Sequence, residues 1–167
     1  MILVALGSNR TGSWGNPRQT VRRALAHLDQ GGLRLVAASR LLVTAPFGRA
    51  NQPPFVNAVA VIATHLPPEA LLRKLHEIER LAGRQRRLRW GPRTLDLDLL
   101  DYNGRRRPCP VAPILPHPGI AERIFVLKPL AEIAPRWRHP ISRRTAAELL
   151  RRLDPAGEGG EIALSPT

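Results

Sequence analysis

The segment Arg89-Trp-Gly-Pro-Arg-Thr-Leu-Asp-Leu-Asp98 carries the most suggestive chemistry in the chain. With residues 94–102 read as a strand, side chains alternate between its two faces. Leu95, Leu97 and Leu99 then face a core, while Asp96 and Asp98 face away from it. Residues two apart on a strand stand about 7 Å apart at the backbone, and carboxylates on such bases can converge on one ion, or on two ions about 4 Å apart. Hard oxygen donors without His or Cys suit Mg²⁺, which takes one or two carboxylates and completes its shell with substrate phosphates. An Asp-x-Asp pair by itself more often lines the solvent face of a strand. Here five arginines, at 84, 86, 87, 89 and 93, precede it closely. Acids for a metal and arginines for phosphate are the parts that phosphoryl transfer requires, because its catalysis is largely positioning and charge neutralisation.

Three further places could do chemistry. Gly7-Ser-Asn-Arg-Thr-Gly12 follows an apolar run and precedes a helix signal, like the start of a P-loop. Ser13 and Trp14 stand where Lys and Ser/Thr are needed, so it reads as a strand-to-helix turn. Thr44-Ala-Pro-Phe-Gly48 with Pro54-Phe-Val-Asn57 is a proline-stiffened loop. Phe47 and Phe55 offer flat apolar faces there, and Asn57 can donate and accept at once. Such a loop serves equally well to plug a core with its aromatics. His117 lies between two prolines; His27, His65, His76 and His139 have no metal-ligand spacing and receive no role.

Composition narrows the class of protein. A chain of 167 residues suits one domain, and 26 Lys+Arg against 13 Asp+Glu gives +13, which favours a polyanionic partner. Lys74 and Lys128 are the only lysines, so the excess is guanidinium, whose fork matches phosphate. Aromatics at 4% leave no stacking platform of the kind that single-stranded nucleic acid needs, so nucleic acid is not the expected partner. The lone Cys109 excludes an internal disulfide and a cysteine metal cluster. The apolar start is too short for a signal peptide and no apolar run reaches membrane-spanning length, so a cytoplasmic protein is expected.

The elements that must position these residues follow from local signals. Residues 2–6 read as a buried strand, and Asn16-Pro17 caps a helix with the stripe Val21, Ala24, Leu25 and Leu28. Residues 33–43 and 55–64 read as strands. Pro67-Pro68 opens a helix with Leu71, Leu72, Leu75, Ile78 and Leu81 on one side, closed by Gly83. The proline-rich residues 108–118 read as an extended loop, residues 121–127 as a short helix, and Thr145-x-x-Glu148 as the capping box of a last helix reaching Leu153. The expected architecture is α+β in one domain, residues 1–153, with helices on a mainly antiparallel sheet; residues 154–167 form a frayed tail.

Taken in order, Ala5-Leu-Gly-Ser-Asn9, residues 44–57, the helix end 79–84, residues 89–98, Leu115-Pro-His-Pro118, Arg123-x-Phe125 and Pro129-Leu-Ala-Glu-Ile-Ala-Pro135 resemble the 6-hydroxymethyl-7,8-dihydropterin pyrophosphokinase family. That resemblance implies a ferredoxin-like, three-layer αβα fold. It also implies transfer of pyrophosphate from ATP to the hydroxymethyl oxygen of the pterin, with release of AMP, in folate biosynthesis. Asp96 and Asp98 would ligate two Mg²⁺ ions and form the catalytic set with Arg84 and Arg93. The nucleotide would meet Glu79, Arg84, Arg86, Arg87, Trp90, Arg93, His117 and Arg123, with Arg86 and Arg87 in a loop that closes over ATP. The pterin would lie between Phe55 and Phe125, near Thr44, Ala45, Pro46 and Phe47, with Asn57 at its edge. A monomer is expected. Compared with familiar members, the turn 10–16 is longer and the basic segment before Trp90 one residue shorter. His76 replaces a glutamine, and Ala112 and Ile114 replace an Arg and a Thr. Arg105, Arg106 and Arg107 are candidates to supply the missing charge.

Overall fold

The computed structural model describes residues 1–45, 52–84, 93–155 and 161–162. The described chain runs β1 (Ile2–Ser8), α1 (Pro17–His27), β2 (Leu33–Ala38), β3 (Leu42–Thr44), β4 (Phe55–Thr64), α2 (Pro68–Leu81), β5 (Asp96–Tyr102), α3 (Ile124–Ile133), α4 (Ala146–Leu153) and β6 (Glu161–Ile162). Side-chain caps start two of the helices. Asn16 accepts from the Gln19 N–H at 3.0 Å and Gln19 returns the bond to the Asn16 N–H, while Thr145 and Glu148 do the same for α4. Two donors that would otherwise be orphaned are satisfied at each end.

All strand pairings are antiparallel, in the order β5-β1-β4-β3-β6 with β2 also on β4. Strand β4 lies between β1 and β2, and β1 lies between β4 and β5. Two β-α-β units therefore interlock, which is the expected ferredoxin-like arrangement. Alternation along the strands divides the core between two faces. Ile2, Val4 and Leu6 of β1, with Ala58, Ala60 and Ile62 of β4, pack against α1 and α2. Leu3, Val59 and Val61 face the other way, against Val126, Leu127 and Leu130 of α3 and Ala146 and Leu149 of α4. Helices thus cover both faces in three layers.

Several elements differ from the sequence expectation. Residues 33–43 are two strands: Ser39 turns inward, donating its N–H to the Val59 carbonyl at 2.9 Å and accepting the Val59 N–H on its hydroxyl at 3.0 Å. One strand cannot continue through a side chain that takes over the ladder. The helix expected at 121–127 begins at Ile124 and continues to Ile133 through Pro129. The proline removes one backbone donor, but it is buried with Val126, Leu127 and Leu130, and that face holds the helix together. Leu81 is exposed, because the buried stripe of α2 runs through Leu71, Leu75, Ile78 and the C-cap Ala82 and leaves it to one side. Strand β5 starts at Asp96, two residues late, and Glu161–Ile162 pair with β3 inside the segment read as a tail.

Strand β5 also contains a bulge. Val4 faces Leu99 and Leu3 faces Asp101, leaving Leu100 as the extra residue. Beyond it Asp101 is buried, accepting from Trp137 Nε1 at 2.8 Å and from the Gly104 N–H at 3.0 Å. The His139 ring meets Trp137 edge-on, with centres 6.0 Å apart. Its Nδ1 accepts from the N–H groups of Ile141 and Ser142, at 3.3 and 3.2 Å. Burial holds this imidazole below its ordinary pKa, with Asp101 opposing. The unfolded chain then binds the proton more readily, so the contribution of His139 is complete above the unfolded-state value of about 6.5 and is lost as pH falls through the folded-state value. Chemical denaturation at a series of pH values between about 7.5 and 5 should show a shallower loss of stability in His139→Gln than in wild type. Parallel curves would remove His139 from the account.

Candidate active site

Helix α2 ends in a Schellman motif. Gly83, at φ +79°, donates to the Arg80 carbonyl at 3.0 Å, and the Arg84 N–H reaches the Glu79 carbonyl at 3.1 Å. An apolar contact usually joins the two residues so bonded; here it is an ion pair between Arg84 and Glu79. Glu79 is only 2% exposed, and its Oε1 also accepts the Leu97 N–H at 2.8 Å. The carboxylate thereby ties the end of α2 to the outer edge of β5. Arg84 Nη1 continues to Asp96 Oδ1 at 2.7 Å, and Arg93 pairs with the other oxygen of Asp96. Asn9, 1% exposed, fixes Arg93 through its backbone: Asn9 Oδ1 accepts the Arg93 N–H at 2.8 Å and the Asn9 N–H donates to the Arg93 carbonyl at 3.1 Å.

Asp98 has its own partners. Arg123 Nη1 lies 3.2 Å from Asp98 Oδ2, and His117 Nε2 lies 3.8 Å from the same oxygen. Gly119 lets the Arg123 side chain lie flat on the turn, since a Cβ there would come within 2.6 Å of its Nε. His117 Nδ1 accepts the Gly119 N–H at 3.0 Å, so a neutral ring carries its proton on Nε2, towards Asp98. Burial pushes His117 below its ordinary pKa; Asp98 opposes this and Arg123 adds to it.

The strand register converts these positions into a site. Gly7 of β1 faces Asp96 on one side and Asn57 of β4 on the other, and Ala5 faces Asp98. Asp96, Gly7 and Asn57 therefore form one row across three strands, with its ends about 10 Å apart. Asn57 is 5% exposed and donates through Nδ2 to Thr44 Oγ1 at 2.9 Å. A cleft of about 270 Å³ opens over this row, lined among others by Thr44, Ala45, Phe55, Asn57, Asp96, Asp98, Arg93, Arg123 and Phe125. It lies on the same face of the sheet as α3, whose Phe125 forms part of its wall.

Most of the expected site residues thus converge on one cleft or its margin, both carboxylates on the face opposite the leucines. Glu79 lies beneath the surface, holding Arg84 and β5, and does not line the cleft. Pro46, Phe47, Arg86, Arg87 and Trp90 lie outside the described residues. Arg105, Arg106 and Arg107 follow the far end of β5 and are used there: over Tyr102, on the Pro140 carbonyl and on Glu69. They do not replace charge at the cleft. Asn9 and Gln52 had no expected role. Asn9 Nδ2 donates to Gln52 Oε1 at 3.2 Å, and Gln52 lines the cleft. No sequence signal marks Asn9, because an amide in a strand-to-helix turn does not reveal that the turn is buried.

Two carboxylates two apart on one strand face, with no His or Cys between them, suit a hard divalent cation that shares its shell with phosphates and water. Among the described residues no set of three or more His, Cys, Asp and Glu gathers into a complete protein cage, which such a shared site does not need. Carboxylates ringed by guanidinium groups at the open end of an α+β sheet are the equipment of a phosphoryl-transfer enzyme. The profile of the 7,8-dihydro-6-hydroxymethylpterin-pyrophosphokinase (HPPK) family matches residues 3–135. The 2-amino-4-hydroxy-6-hydroxymethyldihydropteridine pyrophosphokinase of Pseudomonas aeruginosa is 45% identical over 143 residues, 85% of each chain. The protein of the same name from Methylorubrum extorquens is 41% identical over 155 residues, 92% of this chain and 94% of its own. A crystal structure of Plasmodium falciparum HPPK-DHPS superposes with a TM-score of 0.72 at 14% identity, a likeness of fold. It covers 97% of this chain and 45% of that one, so the chain spans less than half of the solved protein. The chain belongs to the HPPK family.

Removing Glu79 tests its tie between α2 and β5. Glu79→Ala leaves the Leu97 N–H without its acceptor and should cost about 2 kcal/mol of stability by denaturant titration. Glu79→Gln keeps an acceptor and should cost clearly less; equal losses would count against the tie.

Proposed function

We propose that this chain performs its family's reaction in the cleft over β5, β1 and β4: transfer of pyrophosphate from ATP to the hydroxymethyl group of 6-hydroxymethyl-7,8-dihydropterin. The single observation behind this placement is that Asp96 and Asp98 line one cleft together with Asn57, Phe55 and Phe125. The bond formed joins the hydroxymethyl oxygen to the β-phosphorus; the bond broken is that between the β-phosphorus and the bridging α-phosphate oxygen, AMP leaves, and the hydroxyl proton passes to solvent. A pyrophosphokinase using ATP implies a divalent metal. In this reading Asp96 and Asp98 would hold it as two Mg²⁺ ions, which would supply charge neutralisation and Lewis acidity.

The chain's own residues supply binding and orientation. Phe55 and Phe125 offer ring faces to the flat pterin, and Asn57, oriented by Thr44, presents an amide to its edge. Ala45 lines the cleft beside Thr44, and Pro46 and Phe47, next in the sequence, are assigned to the pterin with it. Arg84 and Arg93 carry charge to the phosphates from either side of Asp96, with Arg123 doing so beside Asp98. The neutral His117 can donate Nε2–H to an anionic oxygen. Arg86, Arg87 and Trp90 belong to the segment between Arg84 and Arg93 and complete the nucleotide side; Glu79 acts there through Arg84. The arginines gathered around Asp96 and Asp98 then serve ATP. The chain is taken to act as a monomer in the cytoplasm; among the described residues no helix is long and apolar enough to cross a membrane.

AMP should appear from ATP only when hydroxymethyldihydropterin is present. Asp96→Ala and Asp98→Ala should each lower its release at least about a hundredfold with an unchanged circular dichroism spectrum; near-normal turnover in either would sink the assignment. Asn57→Ala should raise the pterin KM about tenfold, equivalent to about 1.4 kcal/mol, with a smaller change for ATP.

A further inference from the structure

The turn between β1 and α1 stands between the two roots of the arginine-rich segment. Gly12 and Gly15 exchange both backbone hydrogen bonds at 3.0 Å, closing a small hairpin over Ser13 and Trp14. Trp14 stacks on His27 of α1, with ring centres 4.8 Å apart and planes within 6°, and Arg23 Cζ lies 5.9 Å from the indole centre. The hairpin is thus anchored to a helix whose other face is core.

Its opposite side fits a notch in the site. A Cβ on Gly12 would stand 2.8 Å from Thr94 Cγ2 and 3.4 Å from the Ala82 carbonyl oxygen. A Cβ on Gly83 would lie 3.4 Å from Ser13 Oγ. Ala82 and Gly83 are where the chain leaves α2 immediately before Arg84, and Thr94 is where it returns between Arg93 and β5. Both arginines hold Asp96. Glycine at 15 is required by its φ of +98°, but Gly12 has no such backbone demand. At Gly12 the requirement is space alone. Thr94 is β-branched and stiff, and its other branch, Oγ1, is already enclosed, so a methyl at position 12 cannot be absorbed by a rotating chain end.

We propose that Gly12 is a positioning residue: the anchored hairpin, by presenting no side chain at this notch, sets the separation of the roots that carry Arg84 and Arg93 and so the setting of Asp96 between them. The inference rests on the function proposed above for that cleft. A displacement of Thr94 passes directly to Arg93 and, two residues on, to Asp96. Asn57, at the far end of the row that Asp96 begins, lies two strands away. Gly12 therefore affects the phosphate side and leaves the pterin side alone.

The test compares wild type, Gly12→Ala, Thr94→Ser and the double variant, each with kcat, both KM values and a thermal midpoint. Gly12→Ala should lower kcat about ten- to a hundredfold, the effect of misplacing catalytic groups by a fraction of an ångström to one ångström. The pterin KM should stay within about twofold. Thr94→Ser removes the opposing methyl; measured alone it sets the baseline, and in the double variant it should restore most of the lost kcat. Normal kcat in Gly12→Ala overturns the proposal. So does a loss that Thr94→Ser does not restore, or one that follows the folded fraction in the single and double variants alike. Wild-type AMP release is measured first and tests the functional reading separately; a wild type without it overturns both.

Discussion

The antiparallel register of β5 on β1 is the constraint on which the site depends. Leu97 and Leu99 must enter the core shared with α1 and α2, and this fixes Asp96 opposite Gly7 and Asp98 opposite Ala5. A slip of one residue would send the acids into that core and the leucines into the cleft, so the alternatives are separated by the full cost of burying charge. The same strand β1 fixes Asn57 opposite Gly7. Hydrophobic burial on one face thus sets the distance between carboxylates and amide on the other, without any direct contact between them.

A strand at the edge of a sheet leaves backbone groups unpaired, and here they are used to bring in charge. The outer N–H of Leu97 is taken by Glu79, and the outer carbonyl of Leu100 accepts the His117 N–H at 2.8 Å. Each capping group belongs to a segment that also delivers a cation: Glu79 holds Arg84, and the turn at His117 leads to Arg123. Closing the edge and gathering cations around Asp96 and Asp98 are therefore one structural event. The price of a buried carboxylate at Glu79 is offset by two partners, a backbone donor and a guanidinium group.

The parts of this arrangement that were legible in the sequence are those set by local rules. Alternation assigned the faces of Asp96 and Asp98, capping residues located α1 and α4, and Gly83 marked the end of α2. The parts that were not legible depend on partners distant in sequence. Ser39 breaks a strand because it meets Val59, Pro129 is accommodated because α3 is buried on the sheet, and Glu79 turns inward because Leu97 offers an N–H. Arg105, Arg106 and Arg107 looked like spare phosphate ligands until the topology placed them past the far end of β5. Asn9 was passed over because a polar residue in a turn gives no sign that the turn is buried against Arg93.

Strand β1 carries the smallest side chains where the site needs room. Gly7 lies between Asp96 and Asn57, and Ala5 between Asp98 and Val59, on the face that elsewhere receives Leu3. A leucine at either position would fill the floor of the cleft and continue the core that α3 covers. With a methyl and a hydrogen there, the sheet stays closed beneath while the space above β1 stays open. On the proposed reading, that space is where the hydroxymethyl oxygen meets the β-phosphorus. A pterin edge held at Asn57 and phosphates held beside Asp96 approach each other from opposite ends of a row about 10 Å long, roughly the span of a bicyclic ring and its one-carbon arm. Two small residues in the central strand thus make a junction possible that neither of the flanking strands could provide alone.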